Sequence, residues 1–241
     1  MAKRPVYTPC INGDTLVEVK LVEFKFYSGL SLVQKQASIR SLHEAFLQSS
    51  TEVKYILEVS SKSEDSLGRS LSAFNLMITN PSGKRYSVEQ AYQSSKVFEK
   101  GGPFVDLMNE SVSSRQAKKD ERLSTSGELL QFVWLGNRQW DLNPKTAFYD
   151  WLYVNALNQN KHLHDELLQF TAFTDIEFNP KNSINCQAYA VALFVCLHKR
   201  GLMDKIGNKD DFLTLYDDYK VDNTSAFNKS LQNKRQLDML G

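Results

Sequence analysis

A carboxylate and two lysines recur at regular spacing after residue 86. Taken as a helix opened by Ser87, the run SVEQAYQSSKVFEK puts Glu89, Gln93, Lys96 and Lys100 at i, i+4, i+7 and i+11, on one polar stripe. Tyr92, Ser95 and Phe98 share the neighbouring stripe. Lining a cleft, such a set suits Glu89 as a general base or electrostatic partner and Lys96 as a cation for a phosphate. A solvated helix face has the same spacing, so the pattern by itself leaves both readings open.

Other chemistries find less support. The sequence has no G-x-S-x-G elbow, no G-x-x-x-x-G-K-[ST] loop, no G-x-G-x-x-G after a strand and no H-E-x-x-H. His162 and His164 flank Leu163 in a polar segment beside Asp165 and Glu166 and read as surface histidines. The three cysteines, Cys10, Cys186 and Cys196, match no zinc spacing, and the latter two fall in an apolar helix as small packing residues. Neither a metal nor a cofactor is expected. Lys and Arg number 29 against 28 Asp and Glu, a net +1, which excludes a polycation coating nucleic acid but not a local basic cleft. The unpaired cysteine count points to a reducing, cytoplasmic setting, and the opening residues lack the apolar stretch of a signal peptide. The longest apolar run, Ala188 to Leu197, is half of the roughly 20 residues that a membrane span needs.

The elements that must position the stripe can be read in outline. Val17 to Tyr27 alternates apolar and charged residues, the period of a half-buried strand. Ser31 and Gln34 form a capping-box pattern, followed by Leu32, Ile39, Leu42 and Phe46 on one helical stripe. Tyr55 to Ser60 reads as a short strand and Leu71 to Ile78 as a second extended piece, ended by the turn Asn80-Pro81-Ser82-Gly83. The helix from Ser87 is expected to run through Phe98 and stop at Gly101-Gly102-Pro103. Phe132 to Leu135 suggests a strand. Thr146 to Leu157 and Asn185 to Lys199 are apolar on most sides and predict two buried helices, the second ended by Gly201. The expected fold is a mostly helical single α+β domain over residues 1–203, with a small N-terminal β element and a polar helical tail at 204–241.

The stretch LSAFNLMITNPSGKRYSVEQAYQSSKVF (71–98) resembles the signature of the NADAR superfamily. That signature runs F-S-N-F, then D-G-K-x-W-x-[ST]-x-E, then x-x-[FY]-Q-x-x-K-F. Further along, RQAKKD (115–120) resembles the family's basic segment, Trp140-Asp141 its Trp-acid pair, Phe173-Thr174-Asp175 its apolar-apolar-acid run, and Asn185 the Asn of its N-x-x-G-x-x-L-M motif. The chain departs from the pattern at Gln90, where the family often has His, and at Ala188, where it has Gly. The signature core spans about 71–200. Longer segments such as SGLSLVQKQASIRSLHEAF and PKTAFYDWLYVNAL look most like the NADAR antitoxins encoded beside DarT toxins.

The resemblance implies an enzyme that removes ADP-ribose from guanine in single-stranded DNA, counteracting a DarT-type toxin. YbiA-like relatives imply an alternative, cleavage of the N-glycosidic bond of a small ribosylamino-pyrimidine nucleotide. A third reading is a non-catalytic protein that binds ADP-ribose or the toxin. Within the enzyme readings Glu89 is the catalytic carboxylate. Asp175 is the better candidate for its partner and Asp120 the weaker, and an ion-paired structural role fits either. Lys96, Lys118 and Lys119 are candidates for the diphosphate, Arg115 and Arg122 for the nucleic-acid backbone. Phe74 and Trp140 suit stacking on a base, although an ordinary core aromatic fits as well. Ser72 and Asn75 are placed to contact ribose or phosphate, and Asn185 either touches the ligand or caps its helix.

Overall fold

A computed structural model describes residues 1–50, 53–180 and 183–220. The strands β1 (Ala2–Pro9) and β2 (Val17–Phe24) form an antiparallel hairpin in full register, from Ala2 opposite Phe24 to Pro9 opposite Val17. Helix α1 (Leu32–Gln48) starts on the predicted capping box of Ser31 and Gln34. Its Ile39, Leu42 and Phe46 pack with Val6, Val22 and Phe24 of the hairpin. Leu32, expected on the same stripe, is 52% exposed in the first turn.

Next come β3 (Ile56–Glu58), α2 (Ser66–Ser70), β4 (Met77–Thr79), β5 (Arg85–Ser87), α3 (Val88–Ser94) and β6 (Lys96–Phe98). Two short helices, α4 (Ser114–Lys118) and α5 (Arg122–Thr125), lead to the hairpin of β7 (Leu129–Trp134) and β8 (Arg138–Trp140). The chain closes with α6 (Ala147–Gln159), α7 (His164–Leu167), β9 (Ala172–Thr174), α8 (Gln187–Arg200) and α9 (Lys209–Asp218). The described chain is therefore α+β. The larger sheet runs β2-β1-β9-β3, with β3 parallel to β9, and β6-β7-β8 form a second, antiparallel sheet. None of its helices is long and apolar enough to cross a membrane.

Helices α6 and α8 lie at the centre, as their all-round apolar sequences predict, and almost every residue from Ala188 to Leu197 is inaccessible to water. Gly201 ends α8 in the left-handed region at φ 71°, where a side chain is disfavoured. Ile206, Phe212 and Leu215 belong to the same core, so α9 is packed on α6 through its apolar face. The remainder of the predicted tail, 221–241, lies outside the described residues.

Two predicted elements differ near the stripe. Leu71–Ile78 is not extended throughout: the Ser72 carbonyl accepts from Asn75 N and Leu76 N, both at 2.8 Å, and the Asn75 amide bonds Arg69 O, so turns occupy 71–75 and pairing starts only at Met77. Helix α3 ends at Ser94 rather than Phe98. The Ser94 and Ser95 hydroxyls bond back to Ala91 O at 2.9 and 2.8 Å, and Lys96–Phe98 leaves to pair with β7, where a β-branched Val97 fits better. Lys100 thereby falls off the stripe into an exposed turn.

Candidate active site

The loop before β4 and the start of α3 are fastened to each other by their backbones. Ser87 caps α3 through Gln90 N at 3.1 Å, while Gln90 Oε1 accepts from Ser87 N at 2.9 Å. The next N–H groups are also taken, Val88 N by Leu76 O and Glu89 N by Ala73 O, both at 2.9 Å. Ala73 N in turn donates to Gln187 Oε1 of α8 at 2.8 Å, and Ser114 Oγ donates to Phe74 O at 2.8 Å. Gln90 also donates to Val112 O at 2.6 Å, which ties α3 to the segment entering α4. These bonds fix where the Glu89 side chain emerges.

Glu89 is 6% exposed and faces a cleft of about 430 Å³. Its Oε1 accepts from Gln93 Nε2 at 2.9 Å and lies 3.8 Å from Lys118 Nζ. Lys118 also stands 5.1 Å over the Phe74 ring, and Lys96 stands 4.9 Å over Tyr92. Burial lowers the Lys96 pKa and Lys118 pushes the same way, against the attraction of Glu89. Across the cleft, Asp175 accepts from Glu177 N at 3.0 Å and Phe178 N at 3.2 Å. Burial, reinforced by the nearby Glu58 carboxylate, holds Asp175 well above the usual carboxylate range. Asn185 donates to the Tyr92 hydroxyl at 2.7 Å, and burial raises that phenol's pKa.

Two acceptors in this cleft are left over. Gln93 Oε1 and Asn185 Oδ1 are buried and have no hydrogen-bond partner among the described residues. Each amide is anchored through its nitrogen, so its carbonyl oxygen is available to a ligand's donor, at a cost if it stays unpaired. Carboxylate, cations, aromatic faces and spare acceptors together suit a sugar-phosphate ligand. The arrangement can stabilise a cationic sugar, activate water and hold an anionic tail. Lys96, with its ammonium desolvated, can serve as a cation or supply a free amine more readily than an exposed lysine. Among the described residues no group of three His, Cys, Asp or Glu could hold a metal ion.

Of the residues expected from the sequence, the cleft brings together Glu89, Asp175, Ser72, Phe74, Lys96, Lys118 and Asn185. Others stand elsewhere. Trp140 is 1% exposed and packs against Phe148 and Trp151 in the core, so it presents no face to a base. Asp120 and Arg122 are bound to each other at 2.8 Å, and Arg122 also grips Asp106 at 2.7 Å, which leaves neither aimed at the cleft. Asn75 is exposed, with its amide spent on Arg69 O. Arg115 and Lys119 are exposed on and just after α4, outside the cleft lining. Asn185 does not cap α8, since Cys186 occupies the cap position without a side-chain bond. His164, expected at the surface, is partly buried: its Nε2 pairs with Leu157 O at 2.8 Å and its ring meets Phe194.

The sequence reading did not single out Tyr149, Gln187, Ser60, Glu177 or Phe178 as lining residues. Tyr149 is hidden in a helix apolar on all sides, Gln187 is the first residue of α8, and Ser60, Glu177 and Phe178 lie just after the short strands β3 and β9. Gln93 was visible, on the stripe with Glu89.

A sequence model of DarT1-associated NADAR antitoxins matches residues 2–226. No curated protein matches the chain.

Proposed function

The chain belongs to the family of DarT1-associated NADAR antitoxins, and from that premise we propose that it is a glycohydrolase removing ADP-ribose from guanine bases in single-stranded DNA. The observation that supports this most is Glu89, a buried carboxylate with Gln93 and Lys118 on one oxygen, facing a cleft that also holds Lys96 and Asp175. Cleavage of a ribose C–N bond passes through an oxocarbenium-like sugar, and a carboxylate beside the anomeric carbon stabilises that charge and orients water.

In this reading Glu89 faces the anomeric carbon and takes the proton of the attacking water. Asp175, the carboxyl with the raised pKa, protonates the departing nitrogen. Lys96 and Lys118 meet the diphosphate, and Phe74 offers a ring face to one of the bases. Gln93 Oε1 and Asn185 Oδ1 accept from ligand hydroxyl or N–H groups. A base inside a duplex cannot reach such a cleft, so the substrate is single-stranded or flipped outward. With a net charge of only +1, contact with the strand is weak and salt-sensitive. The reaction takes place where a DarT-type toxin acts, in the cytoplasm.

The test is a short single-stranded oligonucleotide carrying ADP-ribose on guanine, incubated with wild type and with Glu89→Gln and followed by mass. Loss of the adduct with wild type alone supports the reading. No loss with folded wild type rejects it and directs assays to free ribosylamino-pyrimidine nucleotides. Protection against the toxin that survives Glu89→Gln favours neutralisation by binding.

A further inference from the structure

Behind the cleft wall, a single carboxylate holds both neighbours of Asp175. Strand β3 runs parallel to β9 with Glu58 opposite Thr174. Glu58 Oε2 accepts from the Thr174 hydroxyl at 2.6 Å, and Oε1 accepts from Ile176 N at 2.8 Å. The Thr174 hydroxyl is also 2.8 Å from His43 Nε2 on α1. Because that hydroxyl gives its proton to Glu58, the ring nitrogen must be the donor in the contact with His43. Glu58 is 2% exposed and does not line the cleft, whereas Asp175 does.

We propose that Glu58 is the positioning residue of this site: without touching the ligand, it clamps residues 174 and 176 so that the Asp175 carboxyl between them faces the departing base. The inference rests on the glycohydrolase reading. Charge works in the same direction as geometry. Burial raises Glu58 against the pull of its hydrogen bonds, and burial together with the Glu58 carboxylate raises Asp175, so Asp175 retains a proton where a lone carboxylate would have lost it. Glu177 adds to that push and Arg4 of β1 opposes it. Tyr7, Tyr149, Tyr153 and Cys186 around Asp175 are raised by burial and stay uncharged.

The retained proton has a use. Water adds its oxygen to the ribose C1 and gives a proton to Glu89. The C1–N bond breaks, its electron pair goes to nitrogen, and nitrogen takes the proton of Asp175. ADP-ribose and unmodified guanine depart, and the two carboxyl groups return to their starting protonation through solvent.

The experiment measures release of ADP-ribose from the modified oligonucleotide across pH for wild type, Glu58→Gln, Thr174→Val and Thr174→Ser. An acid that must be protonated loses activity as pH rises through its pKa. Glu58→Gln should therefore move the alkaline limb of kcat toward lower pH by about one unit, with KM unchanged within about twofold. Thr174→Val, which loosens the clamp, should lower kcat about tenfold, and Thr174→Ser, which keeps the hydroxyl, should retain it within about twofold. An unmoved alkaline limb in folded Glu58→Gln overturns the proposal, as does full activity in Thr174→Val. Carbon-13 titration of the Asp175 carboxyl, assigned by its loss in Asp175→Asn, reads the same relationship without turnover. It should move to lower pH in Glu58→Gln, and an unchanged titration overturns the proposal. Inactive wild type rejects the glycohydrolase reading, and the carboxyl titration then still decides whether Glu58 controls Asp175.

Discussion

Gln93 Nε2 donates to Glu89 Oε1 at 2.9 Å across one turn of α3, and this bond determines which face of the Gln93 amide is left for a ligand. The acceptor-only carboxylate takes the NH2 group, so the buried Gln93 Oε1 points away from it without a partner. Gln93→Leu should leave the fold intact and raise KM for the modified strand about tenfold, by removing both the brace on Glu89 and the spare acceptor. Glu89→Gln should lower kcat by about a hundredfold or more, with KM little changed. Steady-state kinetics on the same oligonucleotide separates the two effects. A rise in KM alone in both variants would place Glu89 among the binding groups.

Lys96 gives a prediction that depends on pH. Burial lowers its pKa, so its charge is lost at lower pH than that of an exposed lysine. If it meets the diphosphate as a cation, KM should climb on the alkaline side as Lys96 deprotonates. Lys96→Arg should flatten that climb, because guanidinium remains charged throughout. Lys96→Met should weaken binding about tenfold or more at every pH. Turnover abolished in Lys96→Arg with binding retained would instead give the amine a part in the chemistry.

The stretch around Glu89 was legible because its signals are local. Ser87 and Gln90 form a capping box three residues apart, and the turn at Asn80 to Gly83 marks the hairpin before it. Lys96 reaches the cleft from a different element than the sequence suggests: a helical register from Glu89 and a strand after Ser95 both bring it there. Asp175 and Asn185 came from resemblance alone, since nothing near them in sequence marks a site. What stayed hidden is decided by partners far along the chain. Glu58 lies in a three-residue strand whose partner is 116 residues away, and Gln187 reaches Ala73 across 114. Asp120 and Arg122 are held away from the cleft for a similar reason, because Asp106 sits 16 residues upstream of Arg122 and completes an ion cluster that the local sequence does not reveal.

That ion cluster makes a negative prediction. Arg122 bridges Asp106 and Asp120 at the surface, away from the cleft. Arg122→Gln should cost no more than about 1 kcal/mol of stability, as partly exposed ion pairs usually do. The rate of adduct removal should stay within about twofold at any salt concentration. Lys118→Gln, which loses a cation beside Glu89, should instead slow the reaction and reduce its dependence on salt. Thermal melts and rates at two ionic strengths check both.

His43 gives the last prediction, for stability rather than turnover. Burial lowers its pKa from 6.5 to about 4, so the folded protein keeps the ring neutral where the unfolded chain has begun to charge it. Between those values the unfolded state binds more protons, and stability therefore rises with pH. The contribution is complete above about pH 6.5 and is lost as pH falls through about 4. A shift of this size corresponds to about 3 kcal/mol across the interval. His43→Gln, which does not titrate but can still donate to the Thr174 hydroxyl, should flatten this part of the curve. Glu58 and Asp175 act in the opposite sense: their raised pKa values favour the folded state at low pH and lose that advantage as pH rises through the folded values. Denaturant melts of wild type and His43→Gln between pH 4 and 7 isolate the histidine, because both proteins share the carboxyl pair. Parallel curves would mean that His43 titrates in the folded protein as it does in the unfolded chain, and would overturn this prediction.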